Sequence, residues 1–185
     1  MADITDQAFA FSLQYAAVAV WTSGAIYGSA VQFPSAQTLT LTPQYISDIA
    51  KGNSQETALA GQIVAWEWQL DGVNLTNAIV TILTGAVSST ASTDANQIDT
   101  LTVANNLSPY FGLVAQAWNQ QGDDTCILIP YTKVLQPWMF KFDYGKFAAP
   151  SFKGHCIVEP TLGYNFQKKN HATKLANPVF PPSWA

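Results

Sequence analysis

Apolar and polar residues alternate along most of this chain, and a period of two is typical of β-strands that bury one face. The clearest case is the run from 138 to 144, in which four aromatic residues alternate with Met139, Lys141 and Asp143. Glycine, proline and Asp-Gly pairs separate the runs, as expected for turns. The pattern predicts strands at 9–21, 31–42, 58–70, 98–103, 110–118, 125–129, 138–144 and 152–158.

One segment has helical spacing instead. Its apolar residues recur on one side of a helix: Ile79, Val80, Ile82 and Leu83. Thr76 or Asn77 supplies a side chain that accepts from the first-turn amides, and Gly85 supplies a left-handed stop. We therefore predict a helix at about 76–84. Two turns are too short to be stable alone, so this helix must pack on a sheet.

Two internal segments lack a clear period. The segment 45–57 is consistent with a short helix that starts at Thr42 and Pro43, or with a strand followed by a loop, and we favour the second. Pro43 is expected to end the strand before it, because proline donates no ladder hydrogen bond. Small polar residues dominate 88–97, which we predict to be a mobile loop.

The pattern fades after Pro160. Pro178, Pro181 and Pro182 favour extended chain, and Phe180 and Trp184 lie close to the end. We predict one β-domain at 1–160 and an extended C-terminal arm at 161–185. If the chain self-associates, Phe180 and Trp184 are the candidate contacts through which the arm anchors on an adjacent subunit.

Composition changes the expected surface. Only 11% of the 185 residues are charged, against a usual fraction near 25%, and 48% are hydrophobic. A surface this poor in ions favours self-association. No apolar stretch approaches the roughly 20 residues that span a bilayer, so no membrane contact is expected. The first seven residues are acidic and polar, unlike a secretory signal, so we expect the chain to fold where it is made.

Charge is distributed unevenly along the chain. There is no arginine, and residues 1–132 carry ten acids and one lysine, whereas residues 133–185 carry seven lysines and two acids. The missing guanidinium groups weaken any prediction of base-specific nucleic-acid recognition. Lys168 and Lys169, with Lys174, form a small basic cluster that is either a solvated face or an assembly contact.

Candidate reactive groups are few. Asp123 and Asp124 follow Gly122, where a turn is favoured over a metal or general-acid pair. His155 and His171 stand in no catalytic or metal-binding motif. These patterns indicate no catalytic residue, cofactor or metal.

Two cysteines and two tryptophans each allow two interpretations. Cys126 and Cys156 have no metal-ligand spacing, and buried free thiols are favoured over a disulfide. Trp66 and Trp68 alternate on one strand face, where core or subunit contact is favoured over a sugar-stacking platform.

Four blocks taken in order carry a family resemblance: LTNAIVTILTG, SPYFGLVAQA, GDDTCILIPYTKV and MFKFDYGKFAAPSFKGHCIV. Together with SGAIYGSAVQFPSAQTLTL they resemble the tail tube proteins of long-tailed bacteriophages. That family joins a short helix ending in Thr-Gly, a PYFGL-like strand, a Gly-Asp hairpin and an aromatic strand with a GxFAxPxF-type turn. The block 145–152 is the most distinctive, and the resemblance covers most of 9–160.

The resemblance implies an all-β fold, a β-sandwich or small barrel with one short flanking helix and terminal arms. It also implies hexameric rings that stack head to tail into the virion's tail tube, assembled in the host cytoplasm. DNA would pass through without specific binding. Further partners would be the tail terminator, tape measure and distal tail proteins. Asp123 and Asp124 would form a turn on a ring surface or toward the lumen.

Other functions stay open from the sequence. A carbohydrate-binding β-sandwich would use Trp66 and Trp68. A head decoration protein or a tail terminator would build capsid lattices or single rings in place of long tubes. An enzyme is the least expected class, since no nucleophile, base and orienting group occur together.

Overall fold

Alternating runs form strands in the computed structural model, which describes residues 12–52, 55–91, 97–103, 108–118, 124–135 and 150–171. In chain order the elements are β1 (Ser12–Ser23), β2 (Ile26–Tyr27), β3 (Val31–Gln32), β4 (Thr38–Gly52), β5 (Gln55–Asp71), α1 (Asn77–Thr84), β6 (Val87–Ala91), β7 (Ile98–Thr102), β8 (Phe111–Trp118), β9 (Asp124–Val134), β10 (Phe152–Cys156) and β11 (Gln167–His171). The predicted strand at 138–144 lies outside the described residues.

Nine strands form one antiparallel sheet in the order β2-β1-β8-β9-β10-β5-β4, with β3 beside β1 and β11 beside β9. The sheet folds over on itself, because β1 and β4 stand five places apart in this order and still come into contact. Its two end strands do not pair with each other within the described residues, so this sheet is not a closed barrel. The fold is all-β and sandwich-like, as predicted.

The core lies on the concave face of this sheet. Side chains from β1, β5, β8, β9 and β10 meet there with the apolar side of α1. Trp68 and Phe111 show how far the sheet folds over. Their strands are separated by two others, yet their ring centroids are 6.1 Å apart. A smaller cluster of Ala17, Val114 and Leu128 lies on the opposite face and is covered by Tyr15 and Tyr164.

Helix α1 confirms the prediction from its end signals. The Thr76 hydroxyl accepts a hydrogen bond from the amide of Ile79 at 3.3 Å. Gly85 adopts the left-handed conformation, with φ of 73°, and its amide donates to the carbonyl of Thr81. All four predicted apolar residues of the helix are buried.

Pro43 does not end its strand, which corrects the end predicted for the strand 31–42, and the strand favoured in 45–57 is the continuation of that strand. β4 runs through Pro43, opposite Trp66, and continues to Gly52. The reason is position in the sheet: β4 is an edge strand, where a missing amide hydrogen on the open side breaks no ladder bond. Its start is later than predicted, because a turn at Pro34 and Ser35 separates it from β3.

The predicted loop at 88–97 is wrong in its first part. Residues 88–91 belong to β6, which pairs with β7 from Val87 opposite Thr102 to Ala91 opposite Ile98. Both strands contain β-branched residues, which favour strand structure. The prediction of a loop considered only the small polar residues of the segment. Residues 92–96 lie outside the described residues.

β9 is longer than the predicted 125–129 and includes Pro130. On one side β9 pairs first with β11, up to Leu128, and then with β10, from Thr132. Pro130 falls at the change of partner, so its missing amide hydrogen interrupts neither ladder. β10 is shorter than predicted, because after Cys156 the chain turns away into the loop 157–166.

β11 corrects the boundary predicted at 160. Residues 167–171 pair with β9 of the same chain, from Gln167 opposite Leu128 to His171 opposite Asp124. The first part of the predicted arm is therefore a strand of the domain's own sheet. Residues 172–185, with Phe180 and Trp184, lie outside the described residues.

Candidate functional site

The β4–β5 hairpin extends beyond the rest of the sheet. Its strands pair from Thr38 opposite Asp71 to Gly52 opposite Gln55, whereas β10 pairs with β5 only between Trp66 and Leu70. Within the described residues, the far part of the hairpin therefore pairs only with itself. The eight residues from 45 to 52 correspond to a ribbon of roughly 25 Å at about 3.3 Å per residue.

The open edge of β4 carries features that limit pairing. They are Pro43 and two register shifts, one between Gln44 and Tyr45 and one between Ala50 and Lys51. Proline and bulges are the usual devices that stop an edge strand from pairing indiscriminately. Pro43 was the available signal in the sequence, because proline is as typical of an edge strand as of the end of a strand.

The β6–β7 hairpin is a separate two-stranded sheet packed on the molecule through α1. Val87 and Ile98 are 65% and 64% exposed, and Val103 just after β7 is also exposed. Nine of the ten strand residues are exposed, Leu101 being half-buried. Two-stranded hairpins are marginally stable in water, so this sheet is suited to being covered by another surface.

The predicted basic cluster lies partly on β11. Lys168 stands opposite Ile127 and is exposed, and Lys169 stands opposite Cys126 and is half-buried. The two lysines alternate across the strand, so they belong to opposite faces of the sheet. Lys174 lies outside the described residues.

Asp124 is not in an exposed turn, which corrects the prediction for the acidic pair. It is the first residue of β9, stands opposite Trp118, and is 1% exposed. The Gln116 amide donates to its Oδ2 at 2.7 Å, so a buried polar pair links β8 and β9. Asp124 is therefore not exposed to solvent, and Asp123 lies outside the described residues.

Trp66 and Trp68 are used in packing. Trp68 is 2% exposed, and its indole nitrogen donates to Thr132 Oγ1 at 2.6 Å. The Trp66 ring packs edge-on against Phe166, with centroids 4.7 Å apart. Neither arrangement presents an open aromatic platform for a sugar ring, which supports the interpretation as core.

An aromatic group that sequence reasoning missed lies on the outer face of the sheet. Tyr110 and Tyr131 stack with ring centroids 4.1 Å apart, and Trp21 packs edge-on against Tyr131 at 4.7 Å. The Lys133 ammonium lies 4.0 Å from the centre of the Tyr110 ring. The alternation of Tyr131 and Lys133 indicates that both side chains share one face of a strand. It does not identify Trp21 and Tyr110, which come from segments distant in sequence.

Hydrogen bonds to the Glu159 carboxylate link the loop after β10 to the β1–β2 turn. This carboxylate is 0% exposed and accepts four hydrogen bonds. Oε1 accepts from the Trp21 indole and the Ala25 amide, both at 3.2 Å. Oε2 accepts from the amides of Thr161 and Leu162, at 2.7 and 2.6 Å. Ala25 has φ of 61°, a conformation that is unfavourable for alanine, and the hydrogen bond from its amide to Glu159 helps to stabilise this turn.

The two thiols are buried and free, as favoured from the sequence. Cys126 pairs with residues of β8 and β11, and Cys156 with residues of β5 and β9. Burial raises the pKa of Cys126 to about 11, and the nearby Asp124 carboxylate adds to this effect. Burial raises the pKa of Cys156 to about 12. Both groups are therefore neutral thiols near pH 7 and poor nucleophiles.

The histidines lie on separate strands. His155 on β10 contacts the Glu67 carboxylate on β5 at 3.2 Å, and the Gln44 amide donates to the same carboxylate oxygen. His171 ends β11. Across the described part of the chain, no three histidine, cysteine or acidic residues are grouped so as to hold a metal ion. Nor is any described helix long and apolar enough to cross a membrane.

No protein-family model matches this chain, and no curated protein matches it. The resemblance to tail tube proteins therefore rests on the sequence blocks quoted above. Three of those blocks coincide with the described elements α1, β8 and β9, and the fourth includes β10.

Proposed function

We propose that this protein is a structural subunit of a bacteriophage tail tube. In this proposal six copies close into a ring, and rings stack head to tail into a tube through which DNA leaves the head. In this proposal the chain contributes surfaces for contact between copies. The proposal joins the sequence resemblance to the unusual surface of the fold.

The β4–β5 hairpin carries the proposal. From Ala65 of β5 toward the tip of the hairpin, the outer edges of both strands have no ladder partner within the described residues. A ribbon of two strands is marginally stable, and open edges pair readily with other strands. Neighbouring copies would cover such a ribbon repeatedly and in a fixed register, as ring closure requires.

Composition supports the same conclusion. With 11% charged residues, the chain has few ions to keep its exposed hairpins soluble as an isolated subunit. Val87, Ile98 and Ile63 are among the large apolar side chains that stay exposed in a single copy. Contact between copies would remove them from water.

The net charge of the chain is consistent with a channel through which DNA moves. Each phosphate that lysine or arginine neutralises strengthens DNA binding through counterion release. A subunit with no arginine and a net charge of −4 would hold DNA weakly and allow it to move. We propose a neutral or acidic tube wall, and a wall dominated by lysine in an assembled structure would contradict this.

Negative-stain electron microscopy of the purified full chain tests the proposal. We expect rings and stacked tubes at high protein concentration, and a protein that remains monomeric there would overturn the proposal. Single rings without stacking would favour a tail terminator, and a capsid-bound lattice would favour a decoration protein. Binding of glycans by a stable monomer would favour a carbohydrate-binding module, which the burial of Trp68 opposes.

A shortened hairpin provides the matched variant. Residues 47–61 are replaced by Asn-Gly, which suits a two-residue hairpin turn. The removed residues pair only with one another in the described structure, so we expect the domain to keep its circular dichroism spectrum and cooperative unfolding. We expect the shortened chain to lose ring formation, and normal rings would show that the hairpin is not the assembly element.

A further inference from the structure

We propose that the β6–β7 hairpin of one copy docks on the open edge of β11 of a second copy, with Asp99 facing Lys168. This inference rests on the proposed self-assembly and names a contact that the β4–β5 hairpin does not supply. It describes a heterologous contact, in which two different surfaces of the same chain meet.

The first observation is the exposure of the hairpin. Both outer edges of the β6–β7 sheet lack ladder partners within the described part of the chain. Its strands contain no proline, no lysine and no register shift. Natural edge strands use such features to prevent pairing, and their absence here marks edges suited to accept another strand. Val87 and Ile98 add exposed apolar surface to the same sheet.

The second observation is the character of β11. This strand pairs with β9 on one side only within the described residues, so its other edge is open. Its sequence, QKKNH, carries the exposed Lys168. A lysine edge repels the same strand of another copy, because like charges would lie opposite each other. It accepts a strand that carries an acid.

Asp99 supplies that acid. It is the sole charged residue of the described hairpin, and it lies on the exposed second position of β7. Thr90 Oγ1 donates to its carboxylate at 2.8 Å and Gln97 Nε2 at 3.1 Å, and these bonds lower its pKa. The carboxylate is therefore ionised and oriented at neutral pH. Charge complementarity thus selects β7 over a second β11 as the strand that docks.

Charge reversal in the full chain tests the contact. The variants are Asp99→Lys, Lys168→Asp and the double variant, with Lys153→Asp as a control because Lys153 is exposed on the interior strand β10. Light scattering at low ionic strength measures the concentration of half-maximal assembly. We expect either single variant to raise it about fivefold or more, since attraction becomes repulsion. The double variant and Lys153→Asp should stay within about twofold of the wild type.

An equimolar mixture of the two single variants gives the decisive arm. In a ring where the variants alternate, each contact pairs either the two introduced side chains, a lysine at position 99 with an aspartate at position 168, or the two native ones. Both kinds of contact are attractive, so we expect the mixture to assemble within about twofold of the wild type. Rescue in the double variant but not in the mixture would place the pair within one copy and overturn the inference.

The remaining outcomes separate the two proposals. Normal assembly of both single variants would overturn the docking of β6–β7 on β11 and leave the tail-tube proposal standing. A wild-type chain that never assembles would overturn both. Circular dichroism of each variant verifies that the domain is folded, which is expected because both substituted side chains are exposed.

Discussion

Strands β10 and β7 are both five residues long and lie in opposite environments. β10 is paired on both sides, and three of its five residues are buried. β7 is paired on one side, and four of its five residues are exposed. The difference suggests two tasks: the region from β10 to Glu159 packs the interior of the domain, whereas we propose that the β6–β7 hairpin docks on a neighbouring copy. Substitutions in the two regions should therefore affect different measurements.

The largest effect is expected at Gly154 in the middle of β10. A Cβ atom there would lie 2.3 Å from the Lys133 carbonyl oxygen and 2.6 Å from the Trp68 ring. Gly154→Ala should reduce the free energy of unfolding by about 3 kcal/mol or more, measured by urea denaturation.

Gly28→Ala is the matched control for Gly154. A Cβ atom at Gly28 meets the nearest atom, the Val20 carbonyl oxygen, at an ordinary 3.8 Å. Its effect should stay within about 0.5 kcal/mol. Equal effects at the two glycines would remove the contrast between the crowded centre of the sheet and its periphery.

The next effect is expected at Glu159, just beyond β10. Glutamine in its place keeps the shape but turns an NH₂ group toward amides that need an acceptor. Glu159→Gln should reduce the free energy of unfolding by about 2 to 3 kcal/mol. Thr161→Ala keeps the backbone donor and should be nearly neutral. A Glu159→Gln protein as stable as the wild type would show that the hydrogen bonds to the carboxylate contribute little to the free energy of unfolding.

Alkaline pH should weaken the β10 region through its thiol. The native pKa of Cys156 is raised by burial to about 12, from an ordinary value of 9.0. Between about pH 9 and pH 11 the unfolded chain loses this proton while the native chain keeps it, so stability falls as pH rises. In Cys156→Ala the decline should be smaller by up to roughly 1.4 kcal/mol per pH unit, measured by urea denaturation at about pH 8, 9.5 and 10.5. Identical slopes in both proteins would contradict the raised pKa.

The smallest effect on stability is expected in the β6–β7 hairpin. Ile98→Thr keeps a β-branched residue and removes exposed apolar surface, so the free energy of unfolding should change by less than about 0.5 kcal/mol. The concentration needed for assembly should nevertheless rise several-fold. A large loss of stability with normal assembly would reverse the division of tasks between the two regions.

Much of the local structure was predictable. The caps and spacing of α1 predicted its bounds within one residue, because Thr76 and Gly85 act on the backbone next to them. Period-two alternation located the described strands β5, β7 and β8. It did not show that Tyr110, Tyr131 and Trp21 meet, because that contact depends on the order of strands.

By itself the sequence determined the all-β class, the single helix of the described chain, the neutral thiols and a surface poor in charge. These depend on local spacing and on residue counts. The tertiary structure alone decided that β4 continues through Pro43, that Asp124 is buried and that 167–171 join the sheet. Each of those outcomes depends on which strand lies beside the residue, and pairing between distant segments leaves no local period in the chain.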